Sequence, residues 1–97
     1  METKRWLITG GGRGIGRAVA EAVASAGHTV GLNYLNSESA ALEMAERYPR
    51  LVHPLAADVQ ETGAIQTLVE QFRNLAGGVD VLVNNAGVLI LHFPGFS

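Results

Sequence analysis

Short apolar runs alternate with segments of helical periodicity along this chain. Each run predicts a β-strand, and the runs lie at 4–9, 29–35, 51–56 and 79–83. Only Asp80 interrupts the last run, as expected of a strand buried on both faces of a parallel sheet. Between the runs, apolar residues recur every three or four positions, which predicts three helices. These helices end at Gly27, Pro49 and Gly77.

The order of the strands follows from one proline. Pro54 lies in the third run, and proline cannot donate to a strand ladder, so this strand is expected at an edge of the sheet. The resulting order is 3-2-1-4, a doubly wound parallel α/β sheet of four strands and three helices. Right-handed crossovers place helices 1 and 2 on one face and helix 3 on the other. The chain reverses beside strand 1, where ligands bind in sheets of this kind.

The segment after the first strand carries the clearest chemistry. It reads Thr9-Gly-Gly-Gly-Arg-Gly-Ile-Gly16 and opens the first helix. Glycines between a strand and a helix predict a phosphate cradle, in which loop amides and the helix N-terminus face an anion. The alternative is a flexible loop, which the flanking strand and helix disfavour. A G-x-G-x-x-G fingerprint fails at Ile15, and a Walker loop fails because Arg17-Ala18 replaces Lys-Ser/Thr.

Composition limits the remaining possibilities. The chain has 97 residues, 47% of them hydrophobic and 16% charged, which suits one small globular domain. A net charge of −2 offers no general attraction for nucleic acid or for acidic membranes. No apolar run approaches the roughly 18 residues of a membrane span. The absence of cysteine fits a reducing cytoplasm. The three histidines are dispersed, so no metal site is expected.

The remaining pattern, Thr-Gly-x-x-x-Gly-x-Gly, resembles the short-chain dehydrogenase/reductase family. Two further signals follow in the family's order, namely Asp58-Val59 and Asn84-Asn-Ala-Gly87, each at the end of a predicted strand. The resemblance covers residues 4–87, and the local sequence of these motifs is most similar to the 3-oxoacyl-carrier-protein reductases. It implies a Rossmann-type fold and an oxidoreductase that transfers hydride between a nicotinamide cofactor and a carbonyl or alcohol. Relatives of full length would be homo-oligomers.

The resemblance also implies a cofactor-binding set. Its members are Gly10, Gly11, Gly12, Arg13, Gly14, Ile15, Gly16, Leu35, Asp58, Val59, Asn85, Ala86 and Gly87. The glycine segment would line the pyrophosphate and ribose, Asp58 would accept from the adenine amino group, and 85–87 would flank the nicotinamide-side ribose. Asn84 would tie strands together. Two alternatives stay open: Asp58 as a helix-capping carboxylate, and Asn84-Asn85 as a turn that only ends the strand.

NADP(H) is expected in preference to NAD(H). NAD sites of this general kind use an acid about 20 residues after the glycines, whereas strand 2 ends in Asn33-Tyr-Leu-Asn36 with no carboxylate before Glu38. The Arg13 guanidinium could bind a 2′-phosphate, unless it simply faces solvent. Arg17 could share that contact or lie on the surface.

No catalytic residues are expected in this chain. The family's Ser, Tyr-x-x-x-Lys pair and helical Asn follow the Asn-Asn-Ala-Gly turn, and the sequence stops ten residues after Gly87. Its only lysine is Lys4, and neither tyrosine has a lysine four positions later. We expect residues 1–87 to be the N-terminal, NADP-binding half of a Rossmann domain and 88–97 an apolar C-terminal tail, truncated before the catalytic half. The fourth strand would then have an unpaired outer edge. The alternatives are a non-catalytic nucleotide-binding or interaction module and, more weakly, a methyltransferase, whose glycine loop is similar.

Overall fold

The structure, a computed structural model, describes residues 3–11, 14–85 and 89–92. In this part of the chain five strands and three helices follow one another. They are β1 (Arg5–Thr9), α1 (Gly14–Ser25), β2 (Thr29–Tyr34), α2 (Glu38–Arg47), β3 (Val52–Ala56), α3 (Ala64–Ala76), β4 (Val81–Asn84) and β5 (Leu89–His92). The four expected strands and three expected helices are all present, with ends that differ by a few residues from those the sequence predicted.

The strands form one sheet in the order β3-β2-β1-β4-β5. The first four are parallel and follow the predicted order 3-2-1-4, with the proline-containing β3 at the edge. Trp6 of β1 is in register with Val30 of β2 on one side and with Val81 of β4 on the other. β1 therefore lies in the middle of the sheet and directs its carboxyl end toward the glycine segment.

Two apolar layers cover the faces of the sheet. On one face, residues of α1 and α2 such as Val23 and Met44 pack against Ile8 and other strand residues. On the other face, Leu68 and Phe72 of α3 pack against Leu7, Leu55, Val79 and Leu82. Helices 1 and 2 thus share a face and helix 3 takes the opposite one, as the right-handed crossovers predicted.

Gly31 lets α3 approach β2 closely. A Cβ at Gly31 would lie 2.7 Å from Cδ1 of Phe72 and 3.0 Å from Cδ1 of Leu7. β2 is consequently buried on both of its faces, although its Val30, Leu32 and Tyr34 alternate as they do in strands with one apolar face.

The expectation of an unpaired outer edge on β4 was wrong. Residues 89–92 of the apolar tail form β5, which pairs antiparallel with β4, with Val81 opposite His92 and Asn84 opposite Leu89. An antiparallel partner needs only a short reversal of the chain, whereas a parallel partner needs a long crossover. Residues 93–97 of the tail lie outside the described residues.

An ion pair joins β1 to β4 at the edge of the sheet where both strands begin. Nε and Nη2 of Arg5 donate to Oδ2 and Oδ1 of Asp80 at 2.9 and 3.1 Å. The backbone N–H of Arg5 also donates to Oδ2 at 2.8 Å, and the Asp80 N–H donates to the Arg5 carbonyl at 2.8 Å. These hydrogen bonds lower the pKa of Asp80 and raise the pKa of Arg5.

Candidate functional site

The predicted site residues follow the carboxyl ends of parallel strands. β1 ends at Thr9, β3 at Ala56 and β4 at Asn84. Because parallel strands end at the same edge of a sheet, the segments that follow them lie along one edge. β2 and β3 are added to one side of β1 and β4 to the other, so the order of the strands changes direction between β1 and β4. Open α/β sheets bind ligands in the crevice at such a point.

The glycine segment packs too closely for side chains at two of its positions. A Cβ at Gly16 would lie 2.7 Å from the Gly10 carbonyl oxygen and 3.0 Å from the Gly11 Cα. A Cβ at Gly11 would collide with the side chain of Leu32. Gly14 differs, since its φ is +64° and a Cβ there would meet no atom within 4 Å. The backbone is therefore closely packed around Gly16, and there is open space beside Gly14, where α1 begins.

The first two glycine amides are already used within the chain. Gly10 N–H donates to Oδ1 of Asn33 at 3.0 Å, and Gly11 N–H donates to the Asn33 carbonyl at 2.8 Å. The sequence analysis expected loop amides to face an anion, whereas the N–H groups of Gly10 and Gly11 face Asn33. The donors suited to an anion are those of the first turn of α1, which have no intrahelical acceptor. Gly12 and Arg13 lie outside the described residues.

A buried threonine joins the ends of β1 and β4. Thr9 is fully buried, and its hydroxyl donates to Oδ1 of Asn84 at 3.0 Å and accepts from the Asn85 N–H at 3.1 Å. Nδ2 of Asn85 donates to the Gly10 carbonyl at 3.3 Å. Asn84 therefore makes the strand-to-strand contact that the family resemblance implied for it, and Asn85 holds the first peptide of the glycine turn. Ala86 and Gly87 lie outside the described residues.

Asp58 stands two residues after the end of β3. Its Oδ1 accepts from the Gln60 N–H at 3.0 Å, and its carbonyl accepts from the Glu61 N–H at 3.1 Å. One carboxylate oxygen thus stabilises the turn that precedes α3. The N-cap of α3 is Gly63, so the alternative of Asp58 as a helix-capping carboxylate was wrong. Oδ2 has no hydrogen bond to another described residue, which leaves an acceptor for a ligand. Val59, next in the chain, is half-buried against the α3 layer.

Two large apolar side chains of the predicted set are exposed. Ile15 in the first turn of α1 is 67% exposed, and Leu35, directly after β2, is 56% exposed. Residues of this type are usually buried. Ile15 lies beside the glycine turn and Leu35 at the end of β2, so both present apolar surface near the crevice.

A carboxylate from the start of α2 lies against the last residue of β2, although it comes four residues later in the sequence. Glu38 begins α2, and its Oε2 accepts from the Tyr34 hydroxyl at 3.3 Å. Loss of hydration and then the charge of Glu38 raise the pKa of Tyr34. Arg17 forms an ion pair with Glu43 of α2, with 3.8 Å between Nη2 and Oε1. Arg17 therefore contacts α2 on the protein surface.

The sequence analysis missed the role of Asn33. This residue is 2% exposed, and its amide contacts both the glycine turn and the end of β3. The available signal was a lone carboxamide within an apolar strand, which requires buried partners if the strand is covered on both faces.

The described residues contain no group of three or more His, Cys, Asp or Glu placed to hold a metal ion. Over the same residues, no helix is long and apolar enough to span a bilayer.

Comparison with known proteins gives consistent matches to one family. The model of the short chain dehydrogenases matches residues 4–95. The chain is similar to the 3-oxoacyl-[acyl-carrier-protein] reductase FabG of Aquifex aeolicus, with 41% identity over 91 residues that cover 91% of this chain and 37% of that protein. It is also similar to the short-chain dehydrogenase/reductase homolog YusS of Bacillus subtilis, with 38% identity over 91% of this chain and 83% of YusS.

Solved structures agree with these matches. L-Sorbose reductase from Gluconobacter frateurii, complexed with NADPH and L-sorbose, superposes with a TM-score of 0.77 at 36% identity over 90% of this chain and 34% of that one. FolM alternative dihydrofolate reductase 1 from Brucella suis, in complex with NADP, gives a TM-score of 0.78 at 29% identity over 89% and 40%. The chain thus spans little more than a third of the length of these reductases and of the A. aeolicus reductase.

Proposed function

Because the chain belongs to the short-chain dehydrogenase family, whose members bind nicotinamide dinucleotides, we propose that it is the cofactor-binding part of an oxidoreductase acting on a carbonyl or alcohol. The observation that carries this proposal is the glycine turn at the reversal point of the sheet. Gly16 packs against the Gly10 carbonyl while the space in front of Gly14 stays open, as a pyrophosphate at the start of α1 requires.

The described residues fit a dinucleotide along the carboxyl edge of the sheet. Amides in the first turn of α1 would hold the pyrophosphate. The free Oδ2 of Asp58 would accept from the adenine amino group beside Val59, and Asn85 would stand at the nicotinamide-side ribose. Ile15 and Leu35 would contact its apolar parts. When bound, the nicotinamide supplies or accepts hydride, and the residues of this chain bind and orient it.

NADP(H) is the proposed cofactor in preference to NAD(H). The last residues of β2 and the next one, Asn33 to Leu35, include no acid, and Arg13 in the glycine turn can pair with a 2′-phosphate. Glu38 lies against Tyr34 at this strand end, so Arg13 must outweigh its charge. The NADPH and NADP complexes of the L-sorbose reductase and FolM support the same choice.

Fluorescence titration with NADPH and NADH tests this preference. We expect NADPH to bind more tightly, and Arg13→Ala to weaken NADPH binding by about 1.5–3 kcal/mol, the usual contribution of a charge-assisted hydrogen bond, while leaving NADH binding nearly unchanged. Arg50→Ala is the matched control, because Arg50 is exposed in the turn before β3, at the opposite edge of the sheet. Equal affinities in the wild type, or equal effects of the two substitutions, would contradict the assignment.

A second candidate is a nucleotide-binding module without catalysis of its own. The observation that favours it is YusS, which this chain covers over 83% of its length, so the family includes a relative of similar size. Carbonyl-dependent oxidation of NADPH distinguishes the two candidates.

A cytoplasmic location is proposed as well, since the sequence has no cysteine for a disulfide.

A further inference from the structure

Asn33 is a buried carboxamide in a strand that is otherwise mostly apolar. It is 2% exposed and lies near the end of β2, which runs between β1 and β3. Transfer of an amide from water into such a place costs free energy unless each polar atom finds a partner. The partners of Asn33 therefore show what its burial achieves.

The side chain of Asn33 is hydrogen-bonded to backbone atoms on both sides of β2. Its Oδ1 accepts from the Gly10 N–H at 3.0 Å, and its Nδ2 donates to the carbonyl oxygens of Leu55 and Ala57 at 3.1 and 3.2 Å. If the amide were turned over, its NH2 group would face an N–H donor and its oxygen would face two acceptors. The surrounding backbone thus permits one orientation.

These contacts connect two parts of the candidate site that are distant in sequence. Gly10 begins the glycine turn, and Ala57 directly precedes Asp58. The carbonyl of Gly10 also accepts from Nδ2 of Asn85 at 3.3 Å, so the Gly10 residue is held at its N–H by Asn33 and at its C=O by Asn85. A dinucleotide that touches both the glycine turn and Asp58 depends on the spacing between them.

We propose that Asn33 is a positioning residue, which sets the distance between the glycine turn and the Asp58 segment and thereby the affinity for the whole dinucleotide. The inference rests on the proposed function, because it concerns how that same site is held. Asn33 acts through Gly10, Leu55 and Ala57, since its buried side chain has no surface with which to contact a cofactor.

Two substitutions test the inference. Asn33→Ala removes every side-chain hydrogen bond of Asn33, including those to Gly10, Leu55 and Ala57. Asn33→Thr retains a polar atom on Cβ and suits a strand, but it is too short to reach both neighbouring segments. We expect each folded variant to bind NADPH at least about tenfold more weakly, the effect of losing about one buried hydrogen bond. We also expect faster hydrogen exchange at the Gly10 amide, which loses its acceptor, and at the Ala57 amide, whose bond to the Tyr34 carbonyl forms only while the end of β3 stays beside β2. A residue that only filled space would not affect both.

Val30→Ala is the control. Val30 is fully buried in the same strand and belongs to the layer under α1 and α2, so its loss destabilises the protein without touching the contacts of Asn33. Circular dichroism sets a temperature at which all variants are folded; if Asn33→Ala fails to fold, Asn33→Thr decides. Wild-type affinity in folded Asn33→Thr, or an equal loss in Val30→Ala, would overturn the inference. If the wild type bound neither NADPH nor NADH, the proposed function would fail, and unchanged exchange at Ala57 in Asn33→Thr would separately show that Asn33 does not join the two segments.

Discussion

At the scale of single residues, two glycines at opposite ends of α1 both have a positive φ. Gly14 has a φ of +64° and Gly27 a φ of +93°, and a Cβ on either would meet no atom within 4 Å. A β-branched residue at such a φ is strained wherever it occurs. Only Gly14, however, opens onto the proposed pyrophosphate position, since Gly27 precedes β2 at the other edge of the sheet.

Gly14→Val is expected to abolish NADPH binding, because the added side chain would stand between the α1 amides and the pyrophosphate. Backbone strain costs on the order of 1–3 kcal/mol, and Gly27→Val should suffer a similar loss of stability while still binding NADPH. Chemical denaturation and fluorescence titration of both variants measure the two effects separately. Unchanged affinity in Gly14→Val would exclude the pyrophosphate site, and equal loss in Gly27→Val would attribute the effect to strain alone.

At the scale of elements, the Arg5–Asp80 pair fastens β1 to β4 where these strands begin. The two side chains are 31% and 15% exposed, so solvent screens the pair only in part. Gly78 also contributes, because a Cβ there would lie 2.6 Å from Nη1 of Arg5. The guanidinium therefore packs over the chain that leads into β4.

The hydrogen bonds from Arg5 lower the pKa of Asp80, and this shift predicts a pH dependence of stability. A carboxyl whose pKa is lower in the folded state stabilises the fold above its unfolded pKa and loses that effect as the pH falls toward its folded pKa. We expect Asp80→Asn to reduce the free energy of unfolding by about 1–2 kcal/mol at pH 7. The difference from wild type should shrink below about pH 4, near the ordinary Asp value.

Urea unfolding at pH 7 and pH 3 measures this difference. Glu46→Gln serves as the control, since Glu46 is exposed on α2 and its removal changes the net charge by the same amount. A constant difference between Asp80→Asn and wild type over this range would contradict the assignment of the effect to ionised Asp80.

The sequence predicted the elements that their own residues specify and missed those that depend on a partner. Helical repeats and the Pro54 signal located three helices and the edge strand because periodicity and a missing donor are local properties. β5 was missed because residues 88–97 lack a regular period, and only the free edge of β4 makes strand pairing favourable for them. Asn33 was missed because its partners, Gly10, Leu55 and Ala57, lie in other segments of the chain, and only the folded sheet brings them to its side chain.

At the scale of the whole molecule, the described residues supply a place for a cofactor but no proton donor for a carbonyl. Lys4 lies just before β1, at the end of the sheet opposite the glycine turn, and its backbone N–H donates to Nδ1 of His28 at 2.9 Å. Tyr34 has a raised pKa and donates to Glu38, which makes it a poorer acid than free tyrosine. Tyr48 caps the end of α2, at the opposite edge of the sheet.

We expect purified chain 1–97 to reduce no carbonyl substrate, whatever its affinity for NADPH. Hydride addition to a carbonyl needs a proton and a donor that stabilises the developing oxyanion, and neither can be assembled from the described residues. The measurement is NADPH oxidation in the presence of ketones, on a preparation shown to be folded and to bind NADPH. Ketone-dependent oxidation that disappears in Gly14→Val would contradict this prediction and would require a catalytic group among the residues of this chain.

The position of β1 in the middle of the sheet determines when the protein can complete its fold during synthesis. β1 meets β2 about 24 residues later but meets β4 only after 75, the separation between Arg5 and Asp80. Ribosomes add about 5–20 residues per second. Synthesis of the intervening residues therefore takes roughly 4–15 s, during which one edge of β1 stays unpaired. Until β4 is made, this edge of β1, which includes the fully buried residues Leu7 and Ile8, can pair with other chains. The nascent chain should therefore be most in need of a chaperone between the emergence of β3 and that of β4.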